Sequence, residues 1–267
     1  IDLPFTATAK ELGTALMKNM VAIGATCSIM NIDTTVIETL ITNMFSKKGD
    51  KVVEMNIQAL QEGYRLMQEQ QSTLIGDFEL TDTAEQPHLY MIGNDAIGLG
   101  ALSAGSRFMA AYPITPASEI MEYMIANLPK VGGTVVQTED EIAAANMAIG
   151  SNYAGVRAFT ASAGPGLSLM MEAIGLSGMT ETPFVVINTQ RGGPSTGLPT
   201  KQEQSDLMQM IYGTHGDIPK IVVAPTDAED AFYLTIEAFN LAEEYQCPVI
   251  VLSDLQLSLG KQTVKHL

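Results

Sequence analysis

The chain has 267 residues, 46% of them hydrophobic, enough to bury one large domain or two smaller ones. Against 30 acidic residues stand 14 basic ones, a net charge of −16 with no basic run, which argues against nucleic acid and against an anionic membrane surface. The same balance makes the chain alone a poor host for a polyphosphate or a coenzyme A tail, so a partner or bound cations must supply any positive field.

Cys27 and Cys247 lie far apart without a CxxC context. Two cysteines fall short of the about four that an iron–sulfur cluster needs, and they read as buried free thiols of a cytoplasmic protein. No run approaches the about 18 apolar residues of a membrane span, and no signal peptide is visible. Because it begins at Ile1 and stops just after a strand, the chain reads as a fragment or processed product.

Residues 1–71 are expected to be mainly helical: AKELGTALMKNM, then DTTVIETLITNMF, then DKVVEMNIQALQEGYRLMQEQ. VAIGATCSIM, between the first two, suits a continued helix or a strand. The segment has no complete strand–helix alternation and no full core of its own. STLIGDFELTDTAEQPH, residues 72–88, is polar and irregular and reads as a linker.

From Leu89 the pattern alternates. LYMIGN, TVVQTE, RAFTAS, FVVINTQ, KIVVAP and CPVIVLSD read as strands. DAIGLGALSAGSRFMAA, DEIAAANMAIGSNYAG, GPGLSLMMEAIGLSGM and TDAEDAFYLTIEAFNLAEEYQ read as helices, with a further helix opening at an N-cap Ser118 in SEIMEYM. Short Val/Ile-rich strands between helices predict an α/β fold with a doubly wound, mostly parallel sheet over 89–267. In such sheets ligands collect beyond the carboxyl ends of the strands.

Several loops fall there. AYPITPASEIMEYM enters its helix through Pro113 and Pro116, which fix φ twice around Ile114 and Thr115. GNDAIGLGALSAG follows a strand, but Gly98, Gly100 and Gly105 do not make GxGxxG and instead fit close packing of a helix; Gly93 and Asn94, at the strand end, lie nearer a ligand. In TEDEIAAANMAIG, Glu139 and Asp140 read as ordinary helix-start acids. Glu141 differs, because Ala143, Ala144 and Ala145 let another surface approach and leave an acid that is either paired or used. Gly164-Pro165-Gly166 opens a helix with room for a flat ligand, a weak signal alone. NTQRGGPSTGLPTKQEQSDL is the longest structureless loop after the linker; its Arg191 is a scarce cation at a strand end, suited to a carboxylate. His215 reads as a loop histidine, and Met170, Met171, Met179, Met208 and Met210 as core filler. No His/Cys metal spacing and no GxSxG elbow occurs.

YPITP, the acid heading an Ala-rich helix and QRGGPSTGLPTKQEQSDL together resemble the 2-oxoacid:ferredoxin oxidoreductases, in particular the α or fused γ–α subunit of the 2-oxoglutarate type. The resemblance covers nearly the whole chain. The QRGGPSTG loop is quite specific, YPITP is specific within the family, and the GPG turn recurs in other thiamine-dependent enzymes. It implies that residues 89–267 are the domain that binds the pyrimidine ring of thiamine diphosphate, and that residues 1–71 are the tail of a γ-type domain closing on VVEMNIQALQEGY. Glu141 is then the carboxylate that hydrogen-bonds the pyrimidine and drives its imino tautomer. Thr115 and Arg191 contact the substrate carboxylate, and Pro113, Ile114, Gly164, Pro165 and Gly166 line the cofactor site. The implied activity is oxidative decarboxylation of a 2-oxoacid, expected to be 2-oxoglutarate, to an acyl-CoA, with coenzyme A as acceptor and ferredoxin taking the electrons.

With no GDG…N signature and no cysteine set, Mg²⁺ and the 4Fe-4S cluster are expected on a β subunit, so the site closes only in a hetero-oligomer or dimer and the chain alone is expected to be inactive. Two other readings remain open at this point. One is a subunit of another thiamine-dependent decarboxylase or synthase; the other is a non-catalytic α/β assembly subunit.

Overall fold

A computed structural model describes residues 2–70, 88–265 and 267. The expected linker, His88 apart, and His266 lie outside them. The chain divides into two compact units, Ile1–Glu85 and Gln86–Leu267.

The first unit is helical: α1 (Phe5–Glu11), α2 (Lys18–Ile29), α3 (Thr34–Phe45) and α4 (Asp50–Glu69). AKELGTALMKNM is not one helix. Gly13 takes φ +139, a conformation closed to side-chain-bearing residues, and splits it between α1 and α2. VAIGATCSIM resolves as helix, within α2 up to its C-cap Met30. It is used as a packing surface: an ideal Cβ on Gly24 would lie 1.8 Å from the Leu60 carbonyl oxygen, and one on Gly63 1.9 Å from that of Val21. Two bare backbones therefore touch where α2 crosses α4. The buried cluster here is small, Ala9, Met17, Val21 and Ala59.

The second unit carries a six-stranded, all-parallel sheet: β2 (Phe108–Ala111), β3 (Thr134–Gln137), β4 (Ala158–Ser162), β5 (Phe184–Gln190), β6 (Ile221–Val223) and β7 (Pro248–Asp254), in the order β3-β2-β4-β5-β7-β6. On one face, α5 (Gly93–Ser103), α6 (Ser118–Asn127) and α10 (Ala228–Tyr245) cover Met109, Phe159, Val185, Ile187 and Val249. On the other, α7 (Glu141–Tyr153), α8 (Gly164–Met179) and the short α9 (Leu207–Tyr212) cover Ala158, Phe184, Val186 and Ile250. This is the doubly wound sheet that the alternation predicts.

Two strands depart from expectation. Residues 95–111 are not a single helix: α5 stops at Ser103, Gly105 turns the chain at φ +84, and Phe108–Ala111 forms β2, paired on both edges. LYMIGN supplies β1 (Leu89–Ile92), but β1 pairs antiparallel with β8 (Lys261–Val264) in a separate two-stranded sheet. The glycines of α5 do serve packing, against helices: a Cβ on Gly98 would meet the Tyr123 ring, and one on Gly100 the Phe232 carbonyl oxygen at 2.6 Å.

Candidate active site

From β2 the chain moves to β3 on one side and then to β4 on the other. The connections leaving β2 and β4 therefore diverge to opposite faces and open a crevice at their carboxyl ends, the place where open parallel sheets bind ligands. The Tyr112–Pro116 loop and the Gly164-Pro165-Gly166 turn are those two connections.

The first is pinned from below. Asn94, fully buried at the start of α5, donates from Nδ2 to the Pro116 carbonyl at 2.7 Å. The amides of Ala117 and Ser118 both return to the Ile114 carbonyl, at 2.8 and 3.1 Å. Asn94, placed near a ligand by sequence, instead holds this loop, and Gly93 is packed against Leu257. Ser118 is the first residue of α6 and not its cap; the cap position is Ala117, without a side-chain bond.

Glu141 opens α7. Asp140 caps the helix, Oδ1 accepting from the Ala143 amide at 2.7 Å, as a helix-start acid should, and Glu139 is exposed. Glu141 is 7% exposed, and it rests against the GPG turn. A Cβ on Gly166 would sit 2.7 Å from Glu141 Oε1, 2.8 Å from its Cγ and 2.1 Å from Ser162 Oγ. Only glycine lets this carboxylate and this turn come together.

Arg191, just past β5, is also 7% exposed, and burial lowers the pKa of its guanidinium. Nη1 donates to the Thr115 carbonyl and Nη2 to that of Thr196 at 2.7 Å, while Nε is buried with no hydrogen-bond partner. Thr115 and Arg191 are thus brought together, but through the threonine carbonyl; the Thr115 side chain belongs to an exposed residue. Two of the five guanidinium N–H donors go to carbonyls, leaving the rest for a ligand.

A cleft of about 340 Å³ lies between the start of α8 and the loop after β5, lined by Gly164, Pro165, Arg191, the Gly192–Thr196 stretch and Asp206 among others. Glu141 and Thr115 do not line it, and neither do Pro113, which is half-buried, or Ile114, which packs into the α5/α6/α10 core. The expected residues thus form two contacts, Glu141 with Gly166 and Thr115 with Arg191, and Gly164, Pro165 and Arg191 line one cleft that Gly166 does not.

Sequence reading misses Asp206 and the buried polar end of β5. Asn188 Nδ2 donates to Asp206 Oδ2 at 3.0 Å, the Asp206 amide to Gln190 Oε1 at 3.0 Å, and Gln190 Nε2 to the Ser253 carbonyl at 3.2 Å. The signal was present in FVVINTQ, an apolar strand that turns polar over its last three residues yet stays buried.

The outer faces of α7, α8 and α9 carry large apolar residues among polar ones such as Asn146, Ser168 and Glu172. Ile142, Met147 and Tyr153, then Leu169, Leu176 and Met179, then Met208 and Tyr212 are exposed. Met170 and Met210 are core residues and Met171 is half-buried, but Met179 (83% exposed) and Met208 (64%) are not filler. His215 is exposed on its loop. Cys27 and Cys247 are buried free thiols, and burial pushes both above the ordinary thiol range.

A buried carboxylate thus sits against a glycine turn beside the switch point of an open parallel sheet, where such sheets bind ligands. The family described as "Pyruvate flavodoxin/ferredoxin oxidoreductase, thiamine diP-bdg" matches residues 99–266, and "Pyruvate ferredoxin/flavodoxin oxidoreductase" matches residues 1–66. The chain belongs to this oxidoreductase family. It is 53% identical over 165 residues to the 2-oxoglutarate synthase subunit KorA of Methanothermobacter marburgensis, covering 62% of this chain and 44% of that one. Against 2-oxoacid:ferredoxin oxidoreductase 1, subunit alpha, of Sulfurisphaera tokodaii it is 40% identical over 265 residues, 95% of this chain and 41% of the relative. Among solved structures it is similar to 2-oxoglutarate:ferredoxin oxidoreductase from Magnetococcus marinus with 2-oxoglutarate, coenzyme A and succinyl-CoA bound. There the TM-score is 0.90 and the identity 45%, over 99% of this chain and 46% of that one. The chain spans less than half the length of each of these relatives. Among the described residues no helix is long and apolar enough to cross a membrane.

Proposed function

We propose that this chain supplies the pyrimidine-binding half of a thiamine diphosphate site in a 2-oxoacid:ferredoxin oxidoreductase that acts on 2-oxoglutarate. The observation that carries the reading is Glu141, a carboxylate 7% exposed, fitted against the missing side chain of Gly166. The residues fit that half of the cofactor: a shielded acid for a ring nitrogen, a bare turn for a flat ring, and the Tyr112–Pro116 loop opposite. They offer little to a diphosphate, since one buried arginine shares its cleft with an aspartate.

When bound, thiamine diphosphate supplies the nucleophilic carbon that lets a 2-oxoacid lose CO₂. Glu141 would hydrogen-bond the pyrimidine ring, a bond strengthened by its shielding from water. Arg191, braced by the Thr115 and Thr196 carbonyls, turns its remaining N–H groups to the substrate carboxylate, and the rigid Thr115 loop orients it. Residues 89–267 form the pyrimidine domain, residues 72–88 a linker, and residues 1–71 the end of a γ-type domain. A β subunit brings Mg²⁺, the diphosphate contacts and a 4Fe-4S cluster; ferredoxin takes the electrons one at a time and coenzyme A the acyl group. The exposed apolar face beside Glu141 on α7 is the surface that the β subunit covers.

The experiment is Glu141→Gln in the enzyme assembled with its β subunit. Loss of this carboxylate is expected to lower 2-oxoglutarate oxidation by about 10²–10⁴-fold. Activity equal to the parent enzyme would sink the assignment and favour a non-catalytic α/β subunit.

A further inference from the structure

Asp206 occupies the cap position of α9, where an aspartate ordinarily accepts from a backbone amide of the first turn. It makes no such bond. Its side chain turns the other way: Oδ2 takes the Asn188 Nδ2 donor at 3.0 Å, and the two carboxylate oxygens lie 2.8 and 3.0 Å from the point where a Gly164 Cβ would stand. The residue is only 9% exposed and, among the described residues, it forms no salt bridge, although Arg191 lines the same cleft.

Its neighbour is the first residue of a 16-residue helix, α8. A helix start carries a partial positive charge and is a ready place for an anion. Here a carboxylate of the chain itself lies beside that start. It is fixed from three directions: Asn188 on its side chain, Gln190 on its amide, and the Met210 amide on its carbonyl at 2.9 Å. The turn it touches at Gly164 is the turn that, at Gly166, carries Glu141.

We infer that Asp206 is a positioning residue of the active site, acting as the internal anion of α8. It seats the Gly164–Gly166 turn on which Glu141 rests, and it closes that helix start to phosphate, so that the turn receives the uncharged ring of the cofactor. This rests on the reading of Glu141 given above.

The test uses the whole enzyme assembled with its partner subunit, carrying Asp206→Ala or Asp206→Asn. Thiamine diphosphate affinity is read by isothermal titration, alongside 2-oxoglutarate turnover with and without added formate or inorganic phosphate. Asp206→Ala is expected to lose about tenfold in both affinity and turnover, because a displaced turn displaces the acid seated on it. Formate at about 100 mM, filling the vacated carboxylate position, restores part of that loss, and phosphate at about 10 mM becomes an inhibitor although the parent is indifferent to it. Asp206→Asn, of nearly the same shape but neutral, keeps the parent's melting temperature and shows a loss of turnover that formate does not relieve.

Parent-like turnover in Asp206→Asn overturns the inference. So does a folded Asp206→Ala that shows neither formate rescue nor phosphate inhibition. Should Asp206→Ala fail to fold, Asp206→Asn decides by turnover and cofactor affinity together. Glu141→Gln keeps the two ideas separate: if it is inactive while the Asp206 variants behave as the parent, only the role of Asp206 falls.

Discussion

A methyl group on residue 166 has nowhere to go. It would stand 2.1 Å from Ser162 Oγ, 2.7 Å from Glu141 Oε1 and 2.8 Å from Glu141 Cγ, below any real contact distance, and of these neighbours the glutamate side chain is the one long enough to swing away. Gly166→Ala is therefore expected to push Glu141 out of its seat, costing about 1–3 kcal/mol by overpacking. Thermal unfolding measures that cost, and cofactor affinity should fall with it. For Arg191→Ala the expected signature differs. Losing a charge-assisted bond to the substrate carboxylate should raise the 2-oxoacid KM by about 10–100-fold while thiamine diphosphate still binds. An unchanged KM in steady-state kinetics would remove Arg191 from the substrate site. Glu141 and Arg191 were both legible in the sequence, since each is an ionisable residue set where small residues or a strand end leave it little water. Asp206 was not. It sits near the end of NTQRGGPSTGLPTKQEQSDL, which reads as one structureless loop, and only the fold shows the side chain turned toward Gly164, forty-two positions back in the chain.

Elements were legible in proportion to how far local pattern alone determines them. GPGLSLMMEAIGLSGM and FVVINTQ come out as α8 and β5 with the expected ends, because each is bounded by Gly or Pro and has one period. FMAA fails for the opposite reason. Four apolar residues next to a helix carry no period of their own, and only pairing with β3 and β4 makes them a strand. That strand matters most for function, since it delivers Tyr112–Pro116 to the crevice. LYMIGN had the right type and the wrong partner, because an alternating pattern does not say which edge a strand joins. In the helical unit, Gly24 and Gly63 mark the point where α2 and α4 touch backbone to backbone. Gly63→Ala should part these helices at a cost of about 1–3 kcal/mol. Faster amide exchange confined to α2 and α4 would show it; unaltered protection there would mean that the crossing adapts without loss.

At the scale of the whole molecule, composition and surface bear on one question, which is what this chain works with. A net charge of −16 keeps it away from nucleic acid and leaves few cations for phosphate, while α7, α8 and α9 expose Met147, Tyr153, Leu169, Met179 and Met208 on one side of the sheet. Large apolar residues exposed in this number on one side of a sheet point to an interaction surface, and these begin on the helix that Glu141 heads. If the β subunit seats there, one acidic residue in the patch should break the assembly without touching the fold, because the altered side chain packs on nothing within the chain. Tyr153→Glu, at a residue 79% exposed, is the cleanest choice. Its expected effect is a weakening of β-subunit association by about 2 kcal/mol or more, the scale of a buried aromatic anchor. Size-exclusion chromatography of the mixed subunits should then show them apart, with the melting temperature of the chain itself unmoved and 2-oxoglutarate oxidation lost in step with assembly. An assembled and active Tyr153→Glu complex would put the partner on another face and leave Glu141 to be completed from the Tyr112–Pro116 side.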